Sequence, residues 1–128
     1  MKGFNIGIEK ATIENDNFRK VLYTSKHSQL VLMSLLPKEE IGLETHPDND
    51  QFFRFEAGVG EVHIDAEVYT IKDGDAIVVP AGSKHNIINT SSTLPLKMYT
   101  IYSPPHHKDG IAEQQKKKLL MWKKSMKV

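Results

Sequence analysis

The chain has 128 residues, enough for one hydrophobic core, and its 39% hydrophobic and 26% charged content excludes a disordered polymer. It contains no cysteine, so disulfides and thiolate chemistry are excluded and any metal must be held by nitrogen and oxygen. The net charge of +1 is uneven: residues 1–107 carry 10 Lys/Arg against 14 Asp/Glu, and residues 108–128 carry 7 Lys against 2 acids, unlike a uniformly basic nucleic-acid binder. There is no apolar run of 18 residues, and the first ten residues lack the basic and apolar regions of a signal peptide. The expectation is a single domain over residues 1–128, cytoplasmic, with neither membrane nor nucleic acid as partner.

In chain order, residues 18–24 (FRKVLYT) and 29–36 (QLVLMSLL) read as strands joined by a polar turn, with Pro37 closing the second. His27 in that turn is expected at the surface. Residues 38–41 form a charged loop, 51–57 a strand, and Gly58-Val59-Gly60 a glycine turn. A hairpin follows over 61–65 and 67–71, with Val62 and Ile64 facing in and His63 facing solvent. Residues 76–79 make a short apolar strand ended by Pro80, and 85–89 and 96–102 complete the set. Short strands at intervals of about ten residues, separated by Gly/Pro/Asn/Asp turns, predict an all-β sandwich or barrel over residues 18–102. Beyond Pro105, Ala112, Gln115, Leu119, Trp122 and Met126 recur at helical spacing, predicting an amphipathic helix over 111–124 with its lysines on a solvated face.

The densest polar stretch is 42–58, GLETHPDNDQFFRFEAG. If residues 43–46 are extended, alternation places Glu44 and His46 on one face. Pro47 and the Asp-Asn-Asp run then turn the chain, and Gln51 opens the next strand beside them. The three side chains could converge. A second stretch, 74–89 (GDAIVVPAGSKHNIIN), presents His85 at the start of a strand after a tight Pro-x-Gly turn, with Asn89 on the same face.

Together the two stretches resemble the motifs of the cupin superfamily. Gly74, Pro80, Gly82, His85 and Asn89 match the second motif, G-x5-P-x-G-x2-H-x3-N, in full. Glu44, His46, Gln51 and Gly58 match the first in spacing, with Glu44 where His is usual and Gln51 where Glu is usual. The resemblance implies a cupin β-barrel or jelly roll, frequent homodimerisation, and a small-molecule ligand and a metal inside the barrel. Carried over by position, the metal ligands would be Glu44, His46, Gln51 and His85. Such an N2O2 set suits Zn, Mn, Fe, Co or Ni, whereas Ca and Mg take more oxygens. Phosphomannose isomerases, also cupins, are similar in using Gln, His, Glu and His at zinc. A rival set joins Asp48 to His46 and His85, in imitation of the two-histidine-one-carboxylate triad.

Several other residues carry alternatives. His106 and His107, after Pro104-Pro105, either overhang the barrel mouth as proton carriers or form an exposed loop. Tyr99, Tyr102, Phe53 and Phe55 line the pocket or pack the core, and Arg54 faces out. Three functions stay open: a metal-dependent enzyme on a small polar molecule (isomerase-like or dioxygenase-like, with Glu44 or His106 as base), a non-catalytic binding module, and a dimer with a vestigial site.

Overall fold

The structure, a computed structural model, describes residues 1–114. A short helix α1 (Ile8–Glu14) precedes strands β1 (Arg19–Thr24), β2 (Gln29–Leu35), β3 (Glu44–Thr45), β4 (Asp50–Ala57) and β5 (Val59–Ile64). Then come β6 (Glu67–Lys72), β7 (Ala76–Val79), β8 (Lys84–Asn89), β9 (Leu96–Ser103) and β10 (Ala112–Glu113). They form two antiparallel sheets, β10-β1-β2-β9-β4-β7 and β3-β8-β5-β6. The all-β, two-sheet architecture is what the strand spacing implied, and a jelly roll is what the cupin resemblance implied.

Alternation builds the core between the sheets. In β4, Phe53 and Phe55 are 1% and 0% exposed, while Phe52 and Arg54 turn to the outer face. Met33, Met98, Val62, Ile87 and Leu96 meet them from neighbouring strands. Full burial of a side chain of the size of Phe55 contributes roughly 2–3 kcal/mol. Val62 points inward, and His63 stays outside beside Glu61 at 3.1 Å, as expected from parity. Arg54 lies outside as well, with Nε donating to the buried Glu56 at 2.8 Å.

Three local features differ from the sequence reading. The glycine turn at 58–60 is shorter than read. Gly58 has φ +98, but β5 already begins at Val59. Gly60 sits in that strand because a Cβ there would come within 2.5 Å of the Ile88 carbonyl. Helix α1 carries little periodic signal in the sequence, because only Thr12 of its seven residues is buried. It lies over the outer face of the larger sheet, where Asn15 and Asp16 receive the buried Lys97 amine. The helix expected from residue 111 does not start there: Ala112 and Glu113 pair with Lys20 and Arg19 as β10. Arg19 holds Glu113 at 3.1 Å, so edge pairing and an ion pair override the helical preference of Ala and Glu. The remainder of that expectation, with its lysines, lies outside the described residues. No helix among the described residues is long and apolar enough to cross a membrane.

Candidate metal centre

Both sheets contribute to one polar cluster. Glu44 on β3 and His85 on β8 are direct cross-strand partners, which brings their side chains together on one face. His46 follows immediately, where Pro47 turns the chain, and its carbonyl accepts the Gly82 N–H at 3.0 Å. Gly82 has φ +88, a conformation for which glycine is suited, so the Pro-x-Gly turn is tied directly to the His46 backbone. Gln51 arrives from the opposite sheet, paired on β4 with Tyr102 and Val79.

One ligand atom each from Glu44, His46 and His85 lies within 4.8 Å of the other two. His46 and His85 are 8% and 4% exposed, Gln51 is 3% exposed, and Glu44 is half-buried. His85 Nδ1 lies 3.0 Å from the Ser83 carbonyl, which can only accept. That places the proton on Nδ1 and leaves the Nε2 lone pair free.

His46 Nε2 is 2.8 Å from Glu44 Oε2, yet buried Nε2 has no hydrogen bond of acceptable geometry. Burial pushes the His46 pKa down; the Glu44 carboxylate opposes this, while His106 and His85 reinforce it. A neutral imidazole offers a lone pair here. Buried Gln51 Oε1 is also without a partner, its Nε2 being donated to Thr100 Oγ1 at 3.1 Å. Unpaired buried acceptors are costly unless something electropositive sits between them. The donor set therefore fits a divalent cation, and neutral imidazole nitrogen with carboxylate and amide oxygen is chemistry suited to a transition metal.

The sequence-predicted residues fare differently. Glu44, His46 and His85 meet, and Gln51 is buried on β4's inner side. Asp48 is exposed on the turn and stands outside the donor group, so the rival set is not assembled. His106 is exposed and outside that group too, but its ring centroid is 4.3 Å from that of His46 and 5.3 Å from that of Tyr102. It overhangs the cluster's outer edge. Asn89, although on the face of His85, binds only backbone: Leu35, Leu36 and Leu94 carbonyls and the Ser91 N–H. Tyr102 is the pocket tyrosine, whereas Tyr99 packs on the outer face near Phe52.

Tyr102 and His107, both candidates from the sequence, lie together with Arg19, which the sequence did not mark. His107 Nε2 and the Tyr102 hydroxyl are 3.1 Å apart. Burial raises the Tyr102 pKa to about 12, with Glu44 adding to the rise and Arg19 opposing it, so the phenol keeps its proton. Burial lowers the His107 pKa to about 4, helped by Arg19, His106 and His46. The folded protein resists protonating His107, while the unfolded chain accepts a proton near the usual 6.5. This group's contribution to stability is complete above that value and is lost as pH falls from about 6.5 to about 4. The melting temperature is expected to drop across that window by calorimetry, and to drop less steeply in His107→Gln. Parallel curves for the two proteins would contradict the assignment.

A family model described as Cupin domain matches residues 31–102. The chain is 48% identical over 122 residues to the uncharacterized protein YrkC of Bacillus subtilis (strain 168), covering 90% of this chain and 64% of that protein. It therefore spans just under two thirds of that relative's length. A protein of Acanthamoeba polyphaga mimivirus is 47% identical over 108 residues, covering 82% of this chain and 68% of its own length. A crystal structure of a Bacillus halodurans protein superposes with a TM-score of 0.88 at 40% identity, covering 94% of this chain and 95% of that one.

Proposed function

The chain belongs to the cupin superfamily, and we propose that it is a metal-dependent enzyme acting on a small polar molecule, with Glu44, His46, Gln51 and His85 as the metal ligands. The observation that carries this reading is the cluster of Glu44, His46 and His85 donors, with His46 Nε2 and the buried Gln51 Oε1 both lacking a hydrogen bond of acceptable geometry. Bound there, a divalent Zn, Mn, Fe, Co or Ni ion would supply Lewis acidity toward a substrate oxygen.

The chain's own residues supply the rest. Ser83 fixes the His85 tautomer, and Thr100 holds the Gln51 amide with its oxygen free. Glu44 faces His46 and belongs to the donor set, which leaves His106 as the base at the mouth. Its imidazole would take the proton from the hydroxyl-bearing carbon beside a carbonyl and return it to the former carbonyl carbon, while the hydroxyl proton passes to the carbonyl oxygen, as an aldose–ketose isomerase requires. Deuterium uptake from heavy water into a panel of aldoses, ketoses and 2-hydroxy carbonyl compounds tests this by NMR. Metal-dependent uptake lost in His106→Ala is expected. Oxygen consumption without exchange would favour a dioxygenase, and metal binding with neither would favour a binding module.

Replacing Gln51 by Glu tests the ligand set independently. The carboxylate adds a negative charge beside the cation, so metal affinity measured by competition with a chelating dye is expected to hold or rise. A loss would remove Gln51 from the set.

A further inference from the structure

Gln29 is 1% exposed at the start of β2, a position where a polar side chain needs a reason. It uses its full hydrogen-bonding capacity. Oε1 accepts the His106 and His107 N–H groups at 3.2 and 2.8 Å, and Nε2 donates to the His107 carbonyl at 2.7 Å and to Thr24 Oγ1 at 2.9 Å. Thr24 in turn donates to Asp109 Oδ1 at 3.1 Å, and Asn49 holds the Pro104 carbonyl. The loop over residues 104–109 is thus pinned at its start, middle and end. Its middle carries His106, whose ring lies nearly parallel to Tyr102 and edge-on to His46. Gln29, Tyr102 and Gln51 are register neighbours across β2, β9 and β4, so the clamp and a donor residue share one row.

We propose that Gln29 is a positioning residue, which holds the loop so that His106 contacts a small anion occupying the site. The inference rests on the metal reading above. The charge of the surroundings selects the ligand class. Glu44 is part of the donor set and Glu113 is paired with Arg19. A divalent ion with one carboxylate leaves a net positive charge, faced by the imidazoles of His106 and His107 and the Tyr102 hydroxyl. A carboxylate-bearing small molecule is the class this environment takes.

The test uses the full chain loaded with cobalt(II), with azide as the anion probe followed by visible absorption. Gln29→Met and His106→Ala are each expected to weaken azide about fivefold, the value of roughly one hydrogen bond, with cobalt affinity unchanged. The double variant is expected to be no weaker than either single one. Wild-type azide affinity in Gln29→Met, or additive losses, would overturn the proposal. A second readout needs no metal: the His106 imidazole resonances, displaced by the adjacent rings, are expected to move toward those of exposed His27 in Gln29→Met. Thr24→Val, which keeps the buried amide but removes its brace, is expected to move them the same way by less. Unchanged resonances in Thr24→Val and in any folded Gln29→Met would also overturn it. Failure of the wild type to bind cobalt would instead sink the metal reading, leaving the resonances to decide positioning.

Discussion

Replacing His85 by alanine is expected to lower the affinity for a divalent transition metal by about 100-fold or more. Outer partners of metal ligands are typically worth 10–100-fold, and His85 is placed as a ligand itself. The structure makes this substitution informative because His85 is prepared on both sides. Its Nδ1 proton is held by Ser83, and its strand neighbour across the ladder is Glu44. Truncation removes one nitrogen donor and leaves Glu44 and His46 facing each other with one fewer partner for the cation. The same loss is expected for His46→Ala. Competition against a chelating dye, with folding checked by near-ultraviolet circular dichroism, reads the effect. An affinity within a few-fold of wild type would place the ion elsewhere.

Asn89→Ala is expected to destabilise the fold by about 3 kcal/mol, while leaving metal affinity unchanged in the molecules that remain folded. The asparagine is fully buried, and its amide donors lie 2.9–3.2 Å from the Leu94, Leu36 and Leu35 carbonyls. Its Oδ1 accepts the Ser91 N–H at 3.0 Å. Together these contacts fasten the end of β2 to the loop leading into β9. Removing the side chain strands several buried carbonyls at roughly 1–3 kcal/mol each, less whatever water can restore. Urea denaturation of the metal-free protein measures the difference. A loss under about 1 kcal/mol, or a matching loss of metal, would show that this position acts through the site rather than the scaffold.

The contrast between these two residues shows what the sequence carried. Both belong to the same motif, four residues apart on one strand face. Sequence spacing placed them on one face but could not separate a residue of the donor cluster from a backbone clamp. The strands were legible because alternation in segments such as 51–57 and 61–65 reports burial directly: Phe53 and Phe55 inside, Arg54 outside. The convergence of Glu44 with His46 was legible for the same reason, and Pro47 explained why Asp48 leaves their face.

Other features lacked any local signature. Gln29 reads as an ordinary strand start, because its partners are backbone groups 77 and 78 residues away. Arg19 on an inward-facing position looks anomalous until Glu113 pairs with it across β1 and β10. That same pairing is why Ala112 and Glu113, at the start of the helical pattern, form a strand. Tertiary hydrogen bonding decided both, and periodicity does not record it.

Elemental analysis of the full chain, purified without chelators after growth with ample trace metals, tests the metal centre most directly. The expected result is about one divalent transition-metal ion per chain in the wild type and in Asp48→Ala, and almost none in His46→Ala or His85→Ala. Substoichiometric metal in the wild type, or metal retained by the histidine variants and lost from Asp48→Ala, would contradict it.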